Sequence, residues 1–217
     1  MPLQSKTPPL LLVATKNAGK AREFAELLGK EWRVETLRDH PGLVEGVEDG
    51  ATFEANAAKK ALAIGRQVGG EILVLADDSG LEVDALQGAP GVYSARYAGE
   101  SDPKLRDARN NEKLLRELAA LKAFPLEQRG AQFRCSLCLV RGEEVLATSD
   151  GICRGALLDA PRGGDGFGYD PLFVPVIEGG ALAAKTFAEM DSDAKHALSH
   201  RGKAMAIMAG KIRGMAG

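Results

Sequence analysis

The sequence lacks a hydrophobic run long enough to cross a bilayer, an excess of charge of either sign, and a cysteine framework. Its longest apolar stretch near the start is Pro9 to Ala14, against roughly 20 residues for a spanning helix. No membrane partner is expected. The leader Met1 to Pro8 has neither a basic cluster nor a long apolar segment, so it does not read as a signal peptide. Basic residues number 28 and acidic residues 30, a formal net charge of -2. A protein that coats nucleic acid usually carries a strong positive excess, so that class is disfavoured, though a local basic pocket is not. Three cysteines, an odd count, do not suggest disulfide pairing. Together these absences describe a cytoplasmic protein.

What remains is an ordinary globular composition. Hydrophobic residues make up 45% of the 217, enough for a real core. No repeat or linker divides the chain, and residues 1–217 read as one unit. Leu10 to Ala14 is a buried-strand pattern that runs into a polar turn at Thr15 to Asn17. Ala21, Phe24, Ala25 and Leu28 at helical spacing predict a first helix, stopped by Gly29. Thr52 to Val68 predicts a second, with Phe53, Ala57, Ala61 and Ile64 on one stripe and Thr52, Asn56 and Lys60 on a polar neighbour. Ile72 to Ala76 reads as a strand. Ser101 and Asp102 would cap a third helix with apolar positions Leu105, Ala108, Leu115 and Leu118. Ala131 to Val140 alternates as a strand, Glu144 to Thr148 pairs with it across a turn, and Leu172 to Ile177 is an edge strand because of Pro175. A C-terminal helix starts near Ser192 and is interrupted near Gly202. Irregularly interleaved strands and helices predict a mixed α/β fold.

Four segments carry chemistry. Thr15-Lys16-Asn17-Ala18-Gly19-Lys20 lies between a strand and a helix, where free N–H groups and the helix dipole attract anions. It lacks Walker A spacing, and a plain capped helix would explain it as well. Asp77-Asp78-Ser79-Gly80 follows an apolar strand and could bind a divalent cation or take a proton from water, with Glu48 as a further oxygen ligand. An ordinary turn uses the same residues. Carboxylates beside a polyphosphate repel it by about 4 kcal/mol at 4 Å and an effective dielectric near 20. A metal or the lysines Lys20 and Lys60 must therefore intervene. Gly163 to Pro171 is glycine-rich, and Phe167 or Tyr169 could stack on a base or fold back on the core. Lys195, His200 and Arg201 supply two cations and an imidazole, for a ligand or for a solvated helix end. Cys135-Ser136-Leu137-Cys138 lacks the second ligand pair of a zinc site, and Cys135 reads as core. Trp32 reads as a packing anchor.

In this order the segments resemble the inosine triphosphate pyrophosphatase family, the Ham1-like proteins. The matching text is Thr15 to Lys20, Gly50 to Phe53 with Asn56-Ala57, and Ala76 to Leu81. It continues with Gly88 to Arg96, Gly166 to Pro171 and Ser199 to Gly202. The resemblance runs from about Leu10 to Ala209. It implies a mixed central sheet flanked by helices, two-lobed and elongated around a central cleft, usually as a homodimer. It also implies magnesium-dependent hydrolysis of ITP, dITP and XTP to the monophosphate plus pyrophosphate, which cleanses the nucleotide pool. By position, Thr15, Lys16, Asn17, Ala18, Gly19 and Lys20 would hold phosphates, with Lys60. Asp78 would be proton acceptor and metal ligand, with Asp77 and Glu48 nearby, and Ser79 would touch substrate. Phe167, Gly168, Tyr169 and Asp170 would form the base and sugar pocket. Lys195, His200 and Arg201 would select the 6-keto group. One departure is visible: the family often has an acid just before the helix-two asparagine, and this chain has Ala55, with Glu54 one place earlier. The alternatives are a pyrophosphatase for modified pyrimidines or methylated nucleotides, and a nucleotide-binding regulator without turnover.

Overall fold

The computed structural model describes residues 8–123 and 125–215; of the leader Met1 to Pro8, all but Pro8 lies outside them. Six strands form one mixed sheet, flanked by helices. β1 (Leu10–Val13) lies between β2 (Arg33–Thr36) and β3 (Leu73–Val83) and is parallel to both. β4 (Gly130–Arg141), β5 (Glu144–Leu157) and β6 (Phe173–Pro175) follow as antiparallel neighbours, in the order β2-β1-β3-β4-β5-β6. The mixed α/β class expected from the sequence is what forms. β6 is the edge strand of the sheet; on its side away from β5 the chain returns in an isolated bridge between Val176 and Leu182, where the Pro175 carbonyl accepts from Ala183 N–H at 2.8 Å and proline itself donates nothing.

Helices cover both faces because the strands are apolar on both. α2 (Phe53–Val68) packs Ala57, Ala61 and Ile64 against Val74, Ala76, Cys138 and Val140. α1 (Ala18–Leu28) and α5 (His200–Met215) cover the opposite face with Phe24, Leu28, Met205 and Met208 over Leu75, Cys135, Leu137 and Leu139. Cys135 and Cys138 thus sit in cores on opposite faces, and Trp32 packs beside the first of these. A third cluster, under α3 (Arg106–Ala120), gathers Leu81, Leu114, Leu118, Phe133, Phe173 and Phe187 at the far end of the long strands. Burying each such side chain contributes on the order of 1.5–3 kcal/mol.

Four expectations need correction. β3 does not stop at Ala76; it runs through the acids to Val83 because β4 pairs with it along the whole length. β5 does not end at Thr148. Its inward positions beyond that point are small, Ser149, Gly151, Cys153 and Gly155, and two of them are so for want of room: a Cβ at Gly151 would come within 2.5 Å of the Ala204 nitrogen of α5, and one at Gly155 within 2.4 Å of the Phe173 ring. Small inward residues hide the alternation that marks a strand. α3 begins at Arg106, after a turn in which the Asp102 carbonyl accepts from Leu105 and Arg106 N–H. Its buried face is Asn110, Leu114 and Leu118, whereas Leu105 and Ala108 are exposed. Finally, the C-terminal break falls at Ser199, between α4 (Ser192–Leu198) and α5. Ser199 is extended, and its hydroxyl accepts from Gly202 N–H at 3.0 Å as an N-cap. Gly202 is helical, and glycine is required there because a side chain would collide with the His196 carbonyl.

Candidate active site

β1 is much shorter than its neighbour β3, and this difference opens the site. Ala14 N–H donates to Leu75 O at 2.8 Å, and the chain then turns away into α1. Beyond Ala76, β3 has no β1 beside it until Leu81 N–H donates to Ser94 Oγ at 2.9 Å, in the 3-10 segment Gly91–Arg96. A cleft of about 540 Å³ lies over this bare edge. Crevices at the carboxyl ends of parallel strands are the usual ligand sites of open α/β sheets.

One wall is the turn into α1. Thr15 Oγ1 accepts from Asn17 N–H at 3.1 Å, and Asn17 Oδ1 accepts from Lys20 N–H at 3.0 Å as the N-cap. The helix N-terminus with its dipole therefore faces the cleft with Lys16, Asn17 and Lys20 around it, which suits an anion. Lys16 is exposed and pairs with Glu45 at 2.9 Å, while Ala18 and Gly19 lie just outside the lining.

β3 carries the two acids, and side-chain alternation sends them to opposite faces, so that Asp78 alone lies in the floor. Asp78 points toward α2, where Asn56 Nδ2 donates to Oδ2 at 3.0 Å and Lys60 Nζ stands 3.5 Å from Oδ1. Lys60 also pairs with Glu48 at 2.9 Å. Burial raises the Asp78 carboxyl above its ordinary value, and Lys60 and Lys20 only partly offset this. Asp77 points the other way, toward α1 and α5. It is fully buried and does not line the cleft. Lys20 pairs with its Oδ2 at 2.9 Å and Arg201 at 3.1 Å, and Ser79 Oγ donates to the same oxygen at 3.0 Å. Burial works against its charge, yet Lys20 and then Arg201 hold it far below the usual carboxylate range.

The opposite wall is built by α4, α5 and the glycine-rich loop. Lys195, His200 and Arg201 are buried rather than solvated. Lys195 Nζ bridges Glu23 at 2.6 Å and Asp170 at 2.7 Å, and Arg201 pairs with the other oxygen of Glu23. His200 stacks on Phe133 with ring centroids 4.7 Å apart, and burial, then Arg201, pushes its pKa well down, so the ring is neutral. His200 Nδ1 and Arg201 Nε have no partner among the described residues. Phe167 is half-buried with Lys195 Nζ 5.2 Å from its centroid. The Tyr169 ring belongs to the core beneath α3, and its hydroxyl donates to Ser94 O at 2.9 Å. Gly168 and Asp170 also line the cleft.

The carboxylates can be tested against a metal. Among the described residues no group of three or more ligating side chains converges. Glu48 and Asp78, however, approach one point from two sides, the position of the Lys60 ammonium. Magnesium is commonly held by one or two carboxylates plus phosphate oxygens. This donor set therefore fits magnesium bound together with a polyphosphate, and not an all-protein cage. Asp77 gives Oδ2 to Lys20 and Arg201, while its Oδ1 is buried without a partner among the described residues and the residue stands outside the cleft lining; Glu54 pairs with Arg134 at 2.7 Å, away from the cleft.

Two contributors were not singled out as site residues from the sequence. Asn56 stood in the polar stripe of α2 and in the text that carries the family resemblance, but neither named its contact with Asp78. Glu23 sits one turn from Lys20 on α1, a spacing that places both on one face, but nothing local marks it as the partner of Lys195 and Arg201.

A family model described as the Ham1 family matches residues 11–211. A dITP/XTP pyrophosphatase of Desulforamulus reducens is 49% identical over 197 residues, covering 90% of this chain and 91% of the relative. One of Geobacter sulfurreducens is 49% identical over 91% of this chain and 94% of its own length. The Ham1 protein structure from Coxiella burnetii superposes with a TM-score of 0.77 at 33% identity, covering 94% of this chain and 98% of that one.

Proposed function

Because this chain belongs to the Ham1 family, we propose that it hydrolyses dITP, XTP and ITP to the nucleoside monophosphate and pyrophosphate, cleansing the nucleotide pool. The observation that carries the reading is the single cleft in which the Lys20 turn, the Lys60–Asp78 pair and the Lys195–Arg201 cluster meet. We place it as one domain, in a cytoplasmic homodimer that acts on free nucleotides rather than nucleic acid; no helix among the described residues is long and apolar enough to cross a membrane.

The phosphates lie along the Thr15 to Lys20 turn, where Lys20 and Lys60 neutralise them. Asp78 accepts a proton from a water that attacks the α-phosphorus in line. The new oxygen–phosphorus bond forms as the bond to the bridging oxygen breaks, and pyrophosphate leaves. Asn56 and Lys60 aim the Asp78 oxygens at that water. Magnesium held by Glu48 and Asp78 would supply further charge neutralisation on the phosphates. Catalysis of this kind is mostly positioning and electrostatics and needs no covalent nucleophile. Asp77 keeps Lys20 and Arg201 in place from behind.

The base enters between Phe167 and the His200–Arg201 corner. Arg201 Nε carries a hydrogen with no acceptor among the described residues, and neutral His200 carries one on whichever nitrogen the tautomer selects. Donors at O6 accept a 6-keto purine and reject adenine, whose amino group presents a second donor. Pyrophosphate release from dITP, XTP and ITP, set against dATP, dGTP and modified pyrimidine triphosphates, tests the proposal. We expect the keto purines other than guanine to lead and magnesium to be required. Equal rates across the panel would remove it.

The stacking role of Phe167 gives a second test. A Cβ at Gly19 would fall within 2.8 Å of Phe167 Cε1, so Gly19→Ala must push the ring aside. Stacking contributes on the order of 1–3 kcal/mol, and KM for dITP should rise about tenfold. Alanine favours the helix by roughly 0.5–1 kcal/mol over glycine, so the melting temperature should hold. An unchanged KM would argue against Phe167 as the stacking ring.

A further inference from the structure

α3 contributes none of the charged groups on the floor, yet two of its side chains hold both polar backbone groups of Gly168. Asp107 Oδ2 accepts from Gly168 N–H at 2.7 Å, and Asn111 Nδ2 donates to Gly168 O at 2.9 Å. The two residues are one helical turn apart and so share a face. Gly168 has φ 62 and Gly166 φ 79, left-handed values on either side of Phe167 that only outside bonds keep fixed. On the far side, Phe167 N–H donates to Asp170 Oδ2 at 2.9 Å, and the Tyr169 hydroxyl reaches Ser94 O. The loop is thus clasped around a single half-exposed ring.

We infer that Asp107 and Asn111 are positioning residues for nucleotide binding: by clasping Gly168 they fix the Phe167 ring in the plane where it meets the base. The inference rests on the reading of Phe167 as the stacking ring. Asn111 supports it further. Its Oδ1 is buried without a partner, and the bond to Gly168 is the only one its side chain makes among the described residues. Gly168 is half-exposed, so water can replace that bond. Leucine at 111 would remove the unmet oxygen at similar size, losing the clasp with little cost to the fold.

The experiment is a set of double-mutant cycles, Asn111→Leu and Asp107→Leu each alone and with Phe167→Ala. It is read by equilibrium binding of dITP without magnesium, by kcat and KM, and by thermal melting. Either single change should weaken dITP binding and raise KM about tenfold, with kcat within about threefold. In the Phe167→Ala background neither change should add anything, because the ring they position is gone. Asp107→Asn, which keeps an oxygen for Gly168 N–H, should stay within about twofold of the parent. The same tenfold loss in both backgrounds, or no loss in Asn111→Leu, overturns the inference. Should Asp107→Leu not fold, the Asn111 cycle decides alone. A parent protein that binds dITP but releases no pyrophosphate would count against the proposed reaction, while the binding cycle would still judge the clasp.

Discussion

Asp78→Asn should lower kcat by about 10³-fold or more while leaving the melting temperature unchanged or slightly higher. General-base assistance alone is typically worth 10²–10⁴-fold, and the same carboxylate is proposed to share magnesium with Glu48. The amide keeps an oxygen for Asn56 Nδ2, so the local bond survives. Stability moves the other way for an electrostatic reason. Burial raises the Asp78 carboxyl in the fold, so keeping it charged at neutral pH costs folding free energy. A neutral amide carries no such cost, and Lys60 retains Glu48 as a partner. Single-turnover hydrolysis of dITP together with calorimetry checks both halves. Turnover within tenfold of the parent would remove Asp78 from its assigned role.

Arg201→Leu should cost the largest share of stability of any change in the cleft, about 3–5 kcal/mol. The guanidinium is 2% exposed and links Glu23 to Asp77, which is 0% exposed. Removing it leaves Asp77 with Lys20 as its one close cation and Glu23 with Lys195 alone. The acid limb of stability reports the same network. Burial opposes the Glu23 charge, but Arg201 and Lys195 lower its pKa from 4.5 to about 2. A folded pKa below the unfolded one stabilises the fold above pH 4.5, and that stabilisation fades as pH falls toward 2. In Arg201→Leu the Glu23 pKa rises, so the difference between the two proteins should shrink as pH falls through this window. Urea titrations at neutral and acid pH measure it, and a loss under about 1 kcal/mol at neutral pH would contradict the buried-pair account.

Much of the helical framework was legible because its signals are local. Asn17 and Thr52 cap their helices as side chains of their type do, and Gly29 closes α1 with a positive φ. The expected edge position of β6 follows from proline alone. β5 was only half legible, since Ser149, Gly151 and Gly155 are small to admit α5 and the Phe173 ring. Asp77 and Asp78 illustrate a different limit. Their types and adjacency announced chemistry but concealed that one lies in the floor of the cleft and the other behind it, a consequence of their sitting within β3 rather than after it.

The sequence by itself determined the family, the mixed α/β class, the capped turn at Thr15 to Lys20 and the residue types available for phosphate and base. Each of these depends on neighbours a few positions away or on several blocks recurring in order. Only the tertiary structure decided which charges meet. Glu23 reaches Lys195 across most of the chain's length, Asn56 finds Asp78, and α3 closes on Gly168. Those pairings depend on where β1 stops beside β3 and on how α1, α4 and α5 crowd one face of the sheet, and packing of that kind leaves no local pattern in the residues it brings together.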